Sequence, residues 1–274
     1  MQIRFSAVHW IHVLGLSLGL LCAGAHAAPD LAAVMAGEHR SAENRARDVW
    51  RHPGETLAFF GVQPGMTVVE LWPGAGWYTE ILAPWLREEG RLYAAHFPRE
   101  TDQDYYRRGR AAFDGKLAAQ PQLYDRVIVT ELAPPAVTEV APPGSADAVL
   151  TFRNLHNWYG QGAEVAVLKA AFTALKPGGV LGVVDHRAAP GTSAERMKKS
   201  GYLSEETVIA AAQAVGFELE ARSEINANPR DTHDHPKGVW TLPPTLALGD
   251  VDREQYLAIG ESDRMTLRFR KPAR

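Results

Sequence analysis

Three segments of the chain combine histidine with charged side chains at short spacing. His156 stands in "RNLHNWYG", and His186 follows Asp185 in "DHR". The third segment is "PRDTHDHPKGVW", which contains His233 and His235. Imidazole titrates near neutral pH and can accept or donate a proton. These segments therefore predict groups that carry out acid–base chemistry or orient a polar ligand.

The three segments allow more than one interpretation. His156 is the preferred candidate for a base, although a histidine bonded within its own loop is the other interpretation. Arg187, beside His186, could contact a ligand or form a structural salt bridge. Two histidines two residues apart can meet one divalent ion, but no third ligand has diagnostic spacing, so no metal is predicted. For that segment a lid is favoured, with Trp240 as its apolar cover.

The composition is that of a globular protein. The 274 residues are 46% hydrophobic and 22% charged, and the formal net charge is −3. A net charge close to zero gives no overall positive field that would attract nucleic acid, so nucleic acid is not a predicted partner.

The first residues predict a signal peptide. Arg4 precedes the apolar run "VLGLSLGLLCAG", and "AHA" at 25–27 fits a small-x-small cleavage site. The run is shorter than the roughly 20 residues that a spanning helix needs. We therefore expect cleavage of residues 1–27, a periplasmic or secreted protein, and no stable membrane anchor afterwards. Because Cys22 is the only cysteine, the mature chain would have no thiol catalysis and no disulfide.

The rest of the chain alternates between strand and helix patterns. A polar helical pattern at 30–51 comes first, and then buried apolar runs such as "VVEL", "DAVLTF" and "VLGVVD" alternate with helical segments. This order predicts an α/β protein whose parallel sheet has helices on both faces. The last two strands are joined by a connection of about 38 residues, 226–263, without a helical pattern. Loops of this length are usually functional or disordered.

A glycine turn follows the first confident strand. In "VVELWPGAGWYT", Gly74 and Gly76 lie between that strand and a helix. Backbone amides at such a turn can approach an anionic or polar ligand closely, and Glu70 could accept a hydrogen bond from it. A lone G-x-G is weak evidence without its context.

In its context, the turn resembles the first motif of the class I S-adenosylmethionine-dependent methyltransferases. Within that family the likeness is to the branch with ubiquinone-type C-methyltransferases and exported bacterial methyltransferases. The resemblance implies a Rossmann-like seven-stranded methyltransferase sheet with an antiparallel last strand. It spans one domain, 28–274, in which the early helices act as a lid. The similar segments are "VVELWPGAGWYTEIL", "GSADAVLTFRNLHNW", "LKPGGVLGVVDHR", "GYLSEETVIAAAQAVGFEL" and "ESDRMTLRFRKP".

The resemblance implies an S-adenosylmethionine-dependent methyltransferase that acts on a small-molecule acceptor. One alternative is a non-catalytic periplasmic binding or sensing protein on the same fold, and another is a hydrolase with a metal at the histidine cluster. The chain departs from the family at two positions. Trp72 replaces a glycine of the turn, and His96 replaces the acidic residue that takes the ribose hydroxyls.

The polar segments and the resemblance together give site candidates in three groups. The catalytic candidates are His156, Asn154 and Asn157. The cofactor-binding candidates are Glu70, Trp72, Gly74, Ala75, Gly76, His96, Glu131 and Asn154. The substrate or lid candidates are Arg51, Trp158, His186, Arg187, His233, His235 and Trp240.

Overall fold

The computed structural model describes Gln2 and residues 29–273. The predicted signal peptide lies outside the described residues and stays a prediction. The strands are β1 (Thr67–Leu71), β2 (Arg91–His96), β3 (Ile128–Glu131), β4 (Ala146–Phe152), β5 (Leu175–His186), β6 (Glu218–Ser223) and β7 (Arg264–Arg270). The helices are α1 (Leu31–Ala36), α2 (Ala42–Ala46), α3 (Asp48–Arg51), α4 (Pro53–Phe60), α5 (Thr79–Leu86), α6 (Asp104–Ala119), α7 (Pro121–Tyr124), α8 (Leu155–Gln161), α9 (Glu164–Ala174), α10 (Ala194–Ser200), α11 (Glu205–Val215) and α12 (Arg253–Ile259).

All seven strands form one sheet, in the order β3-β2-β1-β4-β5-β7-β6. The neighbouring pairs from β3 to β5 are parallel, whereas β7 is antiparallel to both β5 and β6. The predicted sheet with an antiparallel last strand is therefore confirmed. The chain leaves β1 towards β2 on one side and later returns to place β4 on the other side. Ligand crevices of open α/β sheets lie at such a switch point, beyond the carboxyl ends of the strands.

Hydrophobic clusters cover both faces of the sheet. Val69 and Leu71 of β1 belong to a cluster that includes residues of α8, α9, α10 and α11. Val68 belongs to a second cluster, which includes residues of α1, α4, α5 and α7. Successive side chains of a strand point to opposite faces, so β1, β2, β4 and β5 each contribute to both clusters. This is why "VVEL" is almost continuously apolar.

The short helices are where the sequence predictions differ from the structure. The helical pattern at 30–51 is three short helices rather than one. The sequence also gave no sign of α8, α10 or α12, and α12 lies inside the 226–263 connection. Helices of seven residues are not stable by themselves and form because they pack on the rest of the fold. Their sequences therefore carry little periodic signal.

The 226–263 connection is tied to the body of the domain by buried polar groups. Asn226 donates hydrogen bonds to the hydroxyls of Thr56 and Thr266, at 3.0 and 2.9 Å. Buried Asp231 accepts the backbone N–H of Asp263 at 2.8 Å. These contacts make the connection an ordered wall at one end of the sheet. No helix within the described residues is long and apolar enough to cross a membrane.

Gly182 of β5 provides a test of the packing between sheet and helices. A Cβ there would stand 2.7 Å from the Phe60 ring and 2.8 Å from Leu150. We expect Gly182→Ala to lower the free energy of unfolding by about 1–3 kcal/mol, as overpacking does. Gly115→Ala is the control, because Gly115 is in the middle of α6 with nothing within 4 Å, and it should raise the value by about 0.5–1 kcal/mol. Urea denaturation measures both, and equal effects would contradict this packing.

Candidate active site

The structure has a cavity of about 330 Å³ at the switch point between β1 and β4. Its wall combines the glycine turn after β1, the segment after β4, the early helices and the 226–263 connection. The lining residues are Asn44, Arg47, Arg51, Trp72, Pro73, Gly74, Ala75, Trp77, Tyr105, Phe152, Arg153, Asn154, His156, Asn157, His186, Val239, Trp240, Pro243, Pro244 and Thr245. The cavity thus brings together many of the predicted site residues. They are Arg51, Trp72, Gly74, Ala75, Asn154, His156, Asn157, His186 and Trp240.

The glycine turn has the open shape that the sequence predicted. Gly74 and Gly76 have φ of +60° and +80°, in the left-handed region that glycine favours. A Cβ on Gly74 would have no neighbouring atom within 4 Å, so a ligand has room at this position. A Cβ on Gly76 would instead stand 3.2 Å from the ring of Phe113. Gly74 therefore faces the cavity, whereas Gly76 allows close packing against α6.

His96 holds the glycine turn in place, and its ring nitrogens are not free to bond a ribose hydroxyl. Its Nδ1 accepts the backbone N–H of Phe97 at 2.7 Å, so its Nε2–H donates to the carbonyl of Gly74 at 2.9 Å. Burial lowers the pKa of His96 to about 4, which keeps the ring neutral. The ring is fully buried and both nitrogens have partners. The structure thus contradicts the predicted cofactor contact, because the residue holds the turn instead.

Trp72 replaces glycine by turning its side chain into the core. Its φ is +46°, so the backbone keeps the left-handed conformation. The indole Nε1–H donates to the carbonyl of Leu132 at 2.9 Å, and the ring packs against Phe97 and Trp158 at centroid distances of 4.8 Å. The indole therefore fills space beyond the ends of β2 and β3, and only its edge borders the cavity. Trp158 is completely buried there, which contradicts its predicted role in a lid.

Two acidic residues predicted to bind the cofactor lie outside the cavity lining. Glu70 is buried and accepts a hydrogen bond from the Thr79 hydroxyl at 2.6 Å, which connects the start of α5 to β1. Burial raises the pKa of Glu70 to about 7, although the Thr79 hydrogen bond and Lys116 oppose this shift. Glu131 accepts the backbone N–H of Arg99 at 3.0 Å. Both carboxyl groups thus have partners within the fold, and the two predicted cofactor contacts stay predictions.

A histidine–aspartate pair borders the same cavity as the turn, through His156. His156 Nδ1–H donates to Asp185 Oδ1 at 2.8 Å, and the backbone N–H of His156 donates to Oδ2 at 3.1 Å. This arrangement fixes the ring and leaves Nε2 free for a ligand. Asn154 donates to the carbonyls of Leu71 and Trp72 at 3.1 and 3.0 Å, so it ties the end of β4 to the turn. The base predicted from sequence is therefore positioned and oriented.

His186 stands beside His156, with 4.9 Å between the ring centroids. Its Nδ1 shares a hydrogen bond with the Ser262 hydroxyl at 2.5 Å. Burial holds the pKa of His186 well below its usual range, with a smaller contribution from His156. The second ring is therefore neutral. It narrows the cavity and adds a polar nitrogen next to the base.

Four arginines surround the buried carboxylate of Glu261 next to this pair. Arg47 and Arg51 bond to it through Nε at 2.7 and 3.0 Å, and Arg264 pairs with it through Nη2. Burial alone would raise the pKa of Glu261, but these arginines and Arg153 hold it well below its usual range. Burial and Arg264 lower the pKa of Arg153 to about 10, so its guanidinium stays charged at neutral pH. We call Arg47, Arg51, Arg153 and Arg264 the arginine cluster.

The arrangement favours an anion over a metal ion. Among the described residues, the group of potential metal ligands that lies close enough together is His156, Asp185 and His186, whose ligand atoms fall within 4.8 Å of one another. The oxygens of Asp185 already accept three hydrogen bonds, from His156 and from the backbone of His186. The nearby arginine cluster would also repel a divalent cation.

The remaining predicted residues line a neighbouring cavity or bind other side chains. A second cavity of about 780 Å³ shares Trp240 with the first, and His233 and His235 line it. Those histidines bond to different carboxylates, Asp263 at 3.2 Å and Asp231 at 2.8 Å, so they do not converge on one ion.

Arg187 makes no contact with either cavity. It forms ion pairs with Asp263, Glu224 and Glu205, at 2.8, 2.7 and 3.3 Å. Hydrogen bonds to Glu224 and Asp263 raise the pKa of Arg187, and the guanidinium links the end of β5 to the segments around it. The structural salt bridge is therefore the correct interpretation, and the predicted substrate contact is not supported.

Sequence reasoning placed Arg153 in the segment after β4 but gave it no role of its own, and it did not identify Glu261 or Arg264. Arg153 has φ of +61°, which is rare for a residue other than glycine or asparagine. It directly follows β4, just as left-handed Trp72 directly follows β1. Strained residues of this kind cluster at functional sites. The only sequence signal was the position of Arg153 three residues before His156.

Protein-family models give no match to this chain, and neither do the curated proteins. Solved structures do match it. A methyltransferase from Aquifex aeolicus that depends on S-adenosylmethionine is 16% identical, with a TM-score of 0.55 over 88% of this chain and 98% of that one. The cyclase SpnF is 18% identical, with a TM-score of 0.55 over 87% and 85%. The arsenic(III) S-adenosylmethionine methyltransferase CrArsM from Chlamydomonas reinhardtii is 14% identical, with a TM-score of 0.52 over 90% and 74%.

At this level of sequence identity the similarity to solved structures shows the fold alone. The chain has the Rossmann-like fold of the class I S-adenosylmethionine-dependent methyltransferases, which confirms the predicted fold class. The resemblance seen in the sequence motifs is thus confirmed at the level of the fold. Because the cyclase SpnF shares this fold, the reaction has to be argued from the site itself.

The buried carboxyl group of Glu70 gives a pH-dependent prediction. Its folded-state pKa of about 7 exceeds the unfolded value of about 4.3. Between these values the folded chain binds more protons, so this group lowers stability as the pH rises. Glu70→Gln needs no proton, so we expect it to raise the free energy of unfolding at pH 8 by on the order of 3 kcal/mol, and to change it little at pH 4.

Urea denaturation between pH 4 and pH 8 measures this difference. Glu218→Gln is the matched control, because Glu218 is exposed on β6. A difference between Glu70→Gln and the wild-type protein that stays constant over this pH range would contradict the assignment.

Proposed function

We propose that this protein is an S-adenosylmethionine-dependent methyltransferase that acts on a small molecule. The observation that carries the proposal is the position of the His156–Asp185 pair on the same cavity as the open turn at Gly74. The same cavity thus offers a place for a cofactor and a base. The comparisons give no support to the non-catalytic alternative.

The residues at the turn fit the cofactor, with different contacts from those predicted. The empty space at Gly74 is a cradle that a Cβ would fill, and Ala75 borders the same space. The rim next to the turn includes the exposed aromatic ring of Tyr105, against which a purine can stack. We infer that this stacking offsets the loss of the ribose contact, which His96 does not make. The volume of about 330 Å³ is near the lower end of small-molecule sites.

When bound, S-adenosylmethionine supplies an electrophilic methyl group on a sulfonium. The chain itself positions the acceptor and removes its proton. His156 Nε2 takes that proton, while Asp185 holds Nδ1–H and stabilises the imidazolium that forms. Trp240 approaches His156 with 6.1 Å between ring centroids. With Val239 and Pro243 it covers the base and excludes water.

Gly74 allows a matched test of cofactor binding. Gly74 and Gly144 have φ of +60° and +64°, and a Cβ on either would meet no atom within 4 Å. Gly74→Val and Gly144→Val therefore impose the same backbone strain, about 1–2 kcal/mol. Only Gly74 borders the cavity. We expect Gly74→Val to abolish binding of S-adenosylhomocysteine in calorimetry and Gly144→Val to leave it unchanged.

Calorimetry of the wild-type protein tests the proposed function directly. If it binds neither S-adenosylmethionine nor S-adenosylhomocysteine at millimolar concentration, the proposed function is wrong.

His156→Ala tests the base. We expect turnover to fall by about 10²–10⁴-fold, the usual contribution of a general base, while S-adenosylhomocysteine still binds. The assay follows transfer from S-adenosylmethionine labelled in its methyl group, with a small-molecule extract as the source of acceptor. His39→Ala is the control, because His39 bonds to the carbonyl of Glu80 away from the cavity. Unchanged turnover in His156→Ala would remove this role.

A further inference from the structure

The arginine cluster contains more positive charge than its protein partners neutralise. Two carboxylates lie near its four guanidinium groups, those of Glu261 and Asp185. Glu261 is shared by three of the arginines. Asp185 is engaged with His156 and with backbone N–H groups. Buried charges are costly unless they are paired, so the cavity is short of negative charge.

Several donors of the cluster have no partner within the described part of the chain. The side chain of Arg51 is only 3% exposed, and its Nη2 has no hydrogen-bond acceptor. Nη2 of Arg47 is also buried without a partner. Arg153 makes no hydrogen bond or ion pair through its guanidinium with any described residue. Arg47, Arg51 and Arg153 all line the cavity, so the excess positive charge lies at its wall.

The strained backbone of Arg153 places this residue close to the base. Its φ of +61° costs about 1–2 kcal/mol for most side chains. The N–H of Arg153 donates to the carbonyl of Val184 at 2.7 Å, which holds this conformation against β5. Arg153 and His156 lie on the same segment after β4, whereas the turn at Gly74 follows β1. An anion held by Arg153 is therefore on the side of the cavity where an acceptor would meet His156.

We propose that the arginine cluster binds a carboxylate or phosphate group of the methyl acceptor, with Arg153 as the hydrogen-bond donor and Arg47 and Arg51 as further positive charge at the wall of the cavity. This rests on the proposed methyltransferase function. The planar guanidinium group can form paired hydrogen bonds with either anion. The anion would supply the missing negative charge and hold the nucleophilic atom of the acceptor near His156 Nε2.

The test compares Arg153→Asn with Arg108→Asn by calorimetry. Asparagine tolerates a positive φ, so Arg153→Asn removes the charge without new backbone strain. Arg108 lies on α6 with a side chain that is 74% exposed, and its loss changes the net charge equally. The probes are inorganic phosphate and succinate, measured with and without saturating S-adenosylhomocysteine. S-adenosylhomocysteine and methylthioadenosine, which lacks the amino-acid part, are titrated separately.

We expect phosphate or succinate to bind wild-type protein and Arg108→Asn, and to bind Arg153→Asn about 10- to 100-fold more weakly. The affinities for S-adenosylhomocysteine and methylthioadenosine should not change. The proposal is overturned if neither anion binds wild-type protein, or if Arg153→Asn binds them as well as the wild type does. It is also overturned if Arg153→Asn weakens S-adenosylhomocysteine but not methylthioadenosine, because the cluster would then bind the carboxylate of the cofactor.

Failure of the proposed function would look different. In that case wild-type protein would bind the anions and Arg153→Asn would not, but S-adenosylhomocysteine would bind to neither protein. The anion site would then stand, and methyl transfer would be ruled out.

Discussion

The carboxylate of Glu261 joins two parts of the chain that are about 210 residues apart in sequence. It bonds to Arg47 and Arg51 on the N-terminal side and to Arg264 at the start of β7. A buried carboxylate that loses its cationic partners is strongly destabilising, so these parts depend on one another. The early helices thereby become a wall of the cavity. The same interaction leaves the outer guanidinium nitrogens of Arg47 and Arg51 unpaired, and the positive character of the site follows from this.

The two departures from the usual methyltransferase turn compensate for each other in the structure. His96 uses Nε2–H to hold the carbonyl of Gly74, and the adjacent Phe97 packs edge-on against Trp72. Trp72 in turn bonds to Leu132 after β3. The turn therefore keeps its left-handed backbone although it has lost a glycine. Its shape is maintained by side chains that occupy the ends of β2 and β3.

The balance of charge around the base also limits the chemistry. A neutral His186 and the cationic cluster beside His156 disfavour a divalent cation and favour an anionic ligand. The fold alone would allow several reactions, since the cyclase SpnF has it too. This chain combines an oriented imidazole with unpaired arginine donors. The two together favour an anionic ligand in the cavity.

The sequence by itself determined the sheet and the position of the ligand turn. Local patterns were sufficient because buried strands such as "VVEL" and the glycines at 74 and 76 depend mainly on residues close by. The sequence also indicated that His156 lies at the ligand end of the sheet, because its segment follows a buried strand. Only the tertiary structure decided which polar groups face the cavity. Burial and hydrogen bonds to distant residues turned Glu70 and His96 into supports of the fold. The same long-range contacts brought Arg153 to the arginines around Glu261, which are about 100 residues away in either direction.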